Sequence, residues 1–218
     1  MKIDMHLHTV YSGDSTVTLK EIEQWVKRRG LDGVAITDHN RIKGALKIKN
    51  ALSSKMLIIP GLEITTNAGH VLAYGISEVV PRGLSIAETI EKIKEQGGVS
   101  VAPHPHRFYT GIGADATLAN KFDGVEVVNG ASRREDNRRA RELAERMHVG
   151  MTGGSDAHLP EYIGKGWTLF EEGDVDDCLA QIERSTTAAY GDGRTFSETV
   201  RYVTRAVSLW LKRGMRRI

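Results

Sequence analysis

The chain has 218 residues, 40% of them hydrophobic, enough for one large domain with a full core. Its 23 glycines and 5 prolines are dispersed, which excludes a linker or disordered block. A formal net charge of +2 argues neither for nor against a nucleic-acid partner, and a lone cysteine, Cys178, excludes an internal disulfide framework and suits a reducing cytoplasm. No apolar run approaches transmembrane length and the chain enters a polar strand at once, so the expectation is a soluble cytoplasmic protein without a signal peptide.

Residues 1–9 read as a strand carrying His6 and His8. Side chains two apart in a strand share a side, so these imidazoles project together as a pair that could bind one metal ion. Residues 9–16 are small and polar, a loop. Thr18 with Glu21 has capping-box spacing. It predicts a helix to Arg29 with Leu19, Ile22, Trp25 and Val26 on its inner face, closed by Gly30. Residues 33–39 form a second strand ending in Asp38-His39, and residues 43–52 a helix. Residues 56–65 are an apolar strand interrupted by one acid, Glu63. Residues 70–76 are a strand that begins on His70. Ser85 caps a helix to Gln96, and residues 98–102 run as a strand into Pro103-His104-Pro105-His106. A short helical piece over 118–122 precedes a strand at 124–129 and a charged helix over 133–147. Residues 149–158 end a seventh strand on Asp156 and His158. Residues 167–170 and 186–190 are further strands around a helix capped by Asp174, in which Cys178 is a small core residue.

Strands alternate with helices about every 20 to 35 residues, the pattern of βαβ units and a parallel sheet. About seven such units predict a closed barrel with its active site at the C-terminal strand ends. Metal-ligand residue types gather there: His6, His8, His39, Glu63, His104, Asp156 and His158. Asp14 lies on the first loop and His70 at a strand start. Each strand end alone is ordinary, because Asp and His are common in turns. Barrel closure would bring them together, and burying so many imidazoles and carboxylates without a metal is costly.

The motifs His6-Leu7-His8-Thr9, Thr37-Asp38-His39, Gly61-Leu62-Glu63, His104-Pro105 and Gly154-Ser155-Asp156-Ala157-His158 resemble, in this order, those of the polymerase and histidinol phosphatase (PHP) phosphoesterases. The resemblance covers roughly residues 1 to 190 and implies an α/β fold, a distorted (β/α)7 barrel of the PHP type. It implies two or three divalent metal ions. His6, His8, Glu63 and Asp156 would hold the first. Glu63 would bridge to a second, also held by His70 and His104, and Asp14, His39 and His158 would hold a third. Asp14 stands where many relatives have histidine. The mixed nitrogen and oxygen donors suit Mn, Zn or Fe. Glu63, Asp156 and His158 are the catalytic candidates, for hydrolysis of a phosphate ester by a metal-bridging hydroxide. The first substrate expectation is a nucleotide-type phosphomonoester or a short oligonucleotide. The alternatives are a histidinol-phosphate-type phosphatase, hydrolysis of a non-phosphate bond, and a non-catalytic metal-binding scaffold.

Arg107, Asn129, Arg133, Lys165 and His106 lie near strand ends and are the candidate substrate-binding residues. The expected division is a phosphoesterase domain over 1–192 and, over 193–218, a basic amphipathic helix. That helix either packs on the barrel or contacts RNA, a membrane surface or a second subunit.

Overall fold

The computed structural model describes residues 1–212, apart from several side chains of the last helix. The basic residues Arg213, Arg216 and Arg217 of the expected tail lie outside the described residues. Strand β1 (Lys2–Leu7) is followed in parallel by β2 (Gly33–Ile36) and β3 (Leu57–Thr65). A second parallel block contains β5 (Val99–Ala102), β6 (Gly124–Asn129) and β7 (Gly150–Gly154). Between the blocks, β4 (His70–Tyr74) runs antiparallel to both β3 and β5. The expected all-parallel order therefore fails at this strand. Only residues 66–69 separate β3 from β4, too few for the crossover that a parallel pair needs. The reversal places His70 at the mouth of the barrel, opposite Thr65.

At the mouth β7 returns to β1. Asp156 N donates to His6 O at 2.7 Å, and His8 N to Ala157 O at 3.1 Å. Strands β8 (Gly166–Leu169) and β9 (Ala188–Gly191) are antiparallel additions beyond β1. The Thr168 hydroxyl ties β8 to β7, accepting from Gly153 N at 2.8 Å. The result is a mixed α/β fold with a nearly closed, barrel-shaped sheet of nine strands.

Helices α1 (Leu19–Arg29), α3 (Ile86–Glu95) and α6 (Val175–Glu183) each begin in a capping box, Thr18–Glu21, Ser85–Glu88 and Asp174–Asp177. Gly30 ends α1 in the left-handed conformation, φ 61°. Helices α2 (Lys43–Leu52) and α5 (Arg134–Met147) follow the sequence expectation closely. Helix α4 covers Ala114–Leu118, earlier than expected, because the chain turns at Gly113 and the Thr117 hydroxyl donates to Gly113 O. Phe122 is instead a buried core residue leading into β6. Trp25, expected in the core, is only half-buried, with the Arg28 guanidinium 4.8 Å from its ring.

Two apolar layers result. Ile22, Val26, Ile48, Ile90 and Ala144 of the helices pack on the outer face of the sheet with Leu7, Val34 and Ile36. Inside the barrel, Ile3, Met5, Ala35, Ile59, Tyr74 and Val101 meet Cys178, Leu179 and Ile182 of α6. Cys178 is fully buried there, and burial pushes its thiol up to about 11. Two register shifts interrupt the alternation. On β1, Asp4 pairs with Val34 and Leu7 with Ile36, so Met5 and His6 both oppose Ala35. On β6, Glu126 pairs with Thr152 and Val128 with Gly153, leaving Val127 as an extra residue. Both are β-bulges, which re-aim the residues that follow.

The buried Asp4 fastens the β1 end of this scaffold. Its Oδ1 accepts from Ser155 N at 2.8 Å and His6 N at 3.2 Å, and its Oδ2 from Gly164 N at 2.8 Å. Asparagine would turn an N–H toward one of these donors. Asp4→Asn is expected to lower stability by about 1–3 kcal/mol, measured as a lower urea midpoint with unchanged slope.

Helix α7 (Phe196–Lys212) starts beside the barrel, where Glu198 forms an ion pair with Lys165. Among the described residues no helix is long and apolar enough to cross a membrane.

Candidate metal centre

The nine ligand-type residues converge at the mouth. His6 and His8 come from the end of β1 and the residue after it, and Glu63 from within β3. His39 reaches the mouth just after β2, where it bridges to Glu63. His70 opens β4, His104 follows β5, and Asp156 and His158 follow β7. Gly154 lets β7 approach this closely, since a Cβ there would lie 2.3 Å from His6 Cβ. His104 (φ 30°) and Asp156 (φ 49°) hold left-handed backbone conformations that non-glycine residues rarely adopt. Such strain collects where a site over-determines it.

Four atoms, His6 Nε2, His8 Nε2, Glu63 Oε2 and Asp156 Oδ1, face one another. Five of their six separations are 3.1, 3.1, 3.3, 3.4 and 3.8 Å. Four ligands placed tetrahedrally about 2.0–2.1 Å from one ion would be about 3.3–3.4 Å apart. On the far side, Glu63 Oε1 meets His70 Nδ1 at 2.7 Å and His104 Nε2 at 3.1 Å. Asp14 Oδ2 lies 3.0 Å from His158 Nε2 and 3.5 Å from His39 Nε2. Four overlapping groups could hold an ion: His8 with Asp14, His39 and His158; His6 with His104 and Asp156; His6 with His8 and Glu63; and His39 with Glu63 and His70. His8 Nδ1, His104 Nδ1 and Asp14 Oδ1 are buried without hydrogen-bond partners. A cluster with this donor set and these spacings fits divalent ions.

Electrostatics separates the donors. Burial drives His39 down to about 3 and lowers His104, which keeps both neutral with free lone pairs. Burial also opposes ionisation of Glu63, but the surrounding imidazoles, His70 foremost, hold it well below the usual carboxylate range. Asp156 is likewise held low against burial by Arg107 and His6, and Asp14 by His158. His8 is opposed by burial yet raised to about 10 by its contacts with Asp156 and Glu63. His6 is raised in the same way, by Glu126, Asp156 and Glu63.

The chain is 40% identical over 140 residues to an uncharacterized protein of Methanocaldococcus jannaschii, covering 59% of this chain and 82% of that one. Its fold matches a two-domain protein of Bacteroides vulgatus described as containing a predicted PHP-like metal-dependent phosphoesterase. The TM-score is 0.73 at 22% identity, over 92% of this chain and 68% of that one. It also matches a lesion-specific endonuclease of Pyrococcus furiosus, with TM-score 0.62 and 16% identity over 84% of this chain and 55% of that one. The family model described as PHP-associated matches residues 134–187. The fold and this donor set are thus similar to those of PHP-like metal-dependent phosphoesterases.

Around these nine residues lies a layer that the sequence reading missed. Glu126 is buried on β6, its Oε1 3.0 Å from His6 Nδ1 and its Oε2 accepting from His104 N at 3.0 Å. With Nδ1 hydrogen-bonded to a carboxylate, His6 is oriented with Nε2 toward the cluster, where its lone pair would serve an ion that displaces the proton. Glu126 is the one acid in the run Val125-Glu126-Val127-Val128, the signal that had singled out Glu63. Asp38 is also buried and accepts from Thr9 N and the Thr9 hydroxyl, at 2.6 and 2.8 Å, which fixes the turn after His8.

The five candidate substrate residues divide. Arg107 lines the mouth cleft of ≈ 320 Å³ together with His39, Glu63, His70, Asp156 and His158, and its Nη1 pairs with Asp156 Oδ2. Asn129 is fully buried. It donates to Glu126 Oε2 at 2.9 Å and to Asp156 Oδ2 at 3.4 Å, so it supports the cluster from behind. Arg133 points to solvent beside Asp136, and Lys165 is paired with Glu198. His106 lies in a separate pocket with Arg139 and Glu142. The structure does not bring these last three to the cleft, because closeness to a strand end along the chain does not set side-chain direction.

Proposed function

We propose that the protein is a metal-dependent hydrolase of phosphate esters. The reading is carried by Glu63, a buried carboxylate whose two oxygens serve different groups. Oε1 faces His70 and His104, and Oε2 faces His6, His8 and His39. A carboxylate so placed suits bridging two ions. His6, His8 and Asp156 complete one set, and His70 and His104 the other. Asp14, His39 and His158 form a third. This donor set suits Mn, Zn or Fe. When bound, such ions supply Lewis acidity toward phosphoryl oxygens and make water more acidic.

The chain's own residues supply binding and orientation. Three carboxylates, Asp14, Glu63 and Asp156, leave the loaded site net positive and attractive to an anion. Arg107 reaches across the cleft to Asp156 and is placed to give its guanidinium to a phosphate oxygen. The cleft volume, at the small end of ligand sites, fits a phosphomonoester of nucleotide size or the end of an oligonucleotide. The likeness to a metal-dependent phosphoesterase and to an endonuclease supports this chemistry.

The test is metal content of the purified protein by plasma mass spectrometry, with phosphate release from p-nitrophenyl phosphate, ribose 5-phosphate, mononucleotides and 5′-phosphorylated oligonucleotides in added Mn. A metal-loaded protein inactive on every ester would overturn the reading.

Metal uptake has a distinctive pH dependence. His8, raised to about 10, carries a proton at neutral pH in the metal-free protein, and an ion must displace it. With an ordinary imidazole, metal affinity would level off above about pH 7. Here it is expected to keep rising toward pH 9, and calorimetry in buffers of different ionisation enthalpy should register proton release. In the metal-free protein the sign is opposite. The stability that this raised histidine contributes is fully present below pH 6.5 and lost as pH climbs through about 10.

A further inference from the structure

The rim of the cleft carries chemistry that phosphate hydrolysis does not require. Among the described residues the two most exposed large apolar side chains are Tyr109, at 91%, and Phe108, at 77%, and both line the cleft. Elsewhere the cleft wall is mainly imidazole, carboxylate and guanidinium.

The loop that presents the rings is fastened on both sides. Arg107 N donates to His104 O at 2.9 Å and Gly111 N to Arg107 O at 3.0 Å. Gly113 N donates to Pro105 O at 2.9 Å, and His70 N reaches Thr110 O at 3.0 Å. The turn is tight enough that a Cβ on Gly111 would lie 2.6 Å from the carbonyl oxygens of both His104 and Pro105. Tyr109 takes φ 74°, a conformation more natural to glycine, yet the position carries an aromatic ring. The ring centroids are 4.2 Å apart with planes at 57°. One ring can therefore offer its face to a flat ligand while the other closes on the ligand's edge.

A ligand that satisfies both parts of the cleft needs a phosphate at the polar floor and a flat aromatic group a short spacer away. We propose that Phe108 and Tyr109 form a base-stacking subsite, and that the ester cleaved at this centre is that of a nucleoside phosphate. The inference rests on the phosphoesterase reading for its phosphate-binding half. Stacking tolerates any base, because every base has a π face, so base identity should matter little.

The probes are the non-hydrolysable methylene phosphonate analogues of AMP and of ribose 5-phosphate, titrated calorimetrically into the Mn-loaded full chain. The nucleoside analogue is expected to bind about 5–150-fold more tightly, the range of one base–aromatic stack. Tyr109→Ala or Phe108→Ala should remove most of that ratio, and Tyr109→Phe should keep it. Both side chains are solvent-exposed, and matched circular dichroism spectra establish that the variants fold. Equal binding of the two analogues, or a ratio unchanged in both alanine variants, would overturn the subsite. A 5′-phosphonate trinucleotide separates the two sources of the same chemistry. Tighter binding than the mononucleotide assigns an oligonucleotide end, and equal binding a free nucleotide. Failure to release phosphate from any ester would refute the phosphoesterase reading instead, and the binding ratio does not depend on turnover.

Discussion

Glu63→Gln is expected to lower both metal content and turnover, the latter by about 10³-fold or more, well beyond the ~10–100-fold typical of an outer partner. The substitution keeps the size of the side chain and changes only its chemistry. Glu63 presents an oxygen to each of two groups of imidazoles, with contacts from 2.7 to 3.4 Å. An amide has one oxygen, so its NH2 must face either His70 and His104 or His6, His8 and His39. That group then loses its acceptor and its negative charge, and an amide nitrogen is not a ligand. Metal analysis of the variant alongside kcat on the best ester decides the matter. Wild-type metal content with kcat within twofold of wild type would remove Glu63 from the centre.

The second large effect belongs to Glu126. Glu126→Gln is expected to weaken metal binding by about 10–100-fold, read by competition with a coloured chelator, while the fold persists. Glutamine still fills the space on β6 but holds His6 Nδ1–H less strongly. It also cannot accept on both sides, from His6 and from the pair His104 N and Asn129 Nδ2. His6 is then free to change tautomer and turn N–H toward the cluster. An unchanged affinity would mean that backbone geometry alone orients His6.

Much of this centre was legible in the sequence because its residues sit where apolar strands stop. The spacing of His6 with His8 and of Asp156 with His158 follows from strand geometry, and the caps Thr18, Ser85 and Asp174 marked three helix starts. The β4 reversal was legible too, in the four-residue connection between Thr65 and His70, but alternation of strands and helices outweighed it. Other features depended on three dimensions. Glu126 acquires its role from His6, 120 residues away. Arg133 and Lys165 have the right charge and lie close along the chain, but their side chains pair with Asp136 and Glu198. Trp25 packs against the core from its helix but stays half-buried, with the Arg28 and Arg29 guanidinium groups over its ring.

The two bulges set the tolerance of this protein to evolutionary change. Met5 and His6 share one strand position opposite Ala35, and one extra valine precedes Asn129. Each bulge sets one extra residue between pairs that keep register on both sides, so losing it would restore a regular strand with the same faces beyond it, but without the added twist and bend that aim the residues at the mouth. Deleting Met5 would leave His6 opposite Ala35 and Leu7 opposite Ile36, yet it would remove a core side chain and the local twist through which His6 meets Glu126. Shortening either strand by its extra residue is therefore expected to weaken the metal site through lost twist and packing while the flanking register persists. Anyone transferring the nine residues to a regular barrel would have to transfer the irregularities with them.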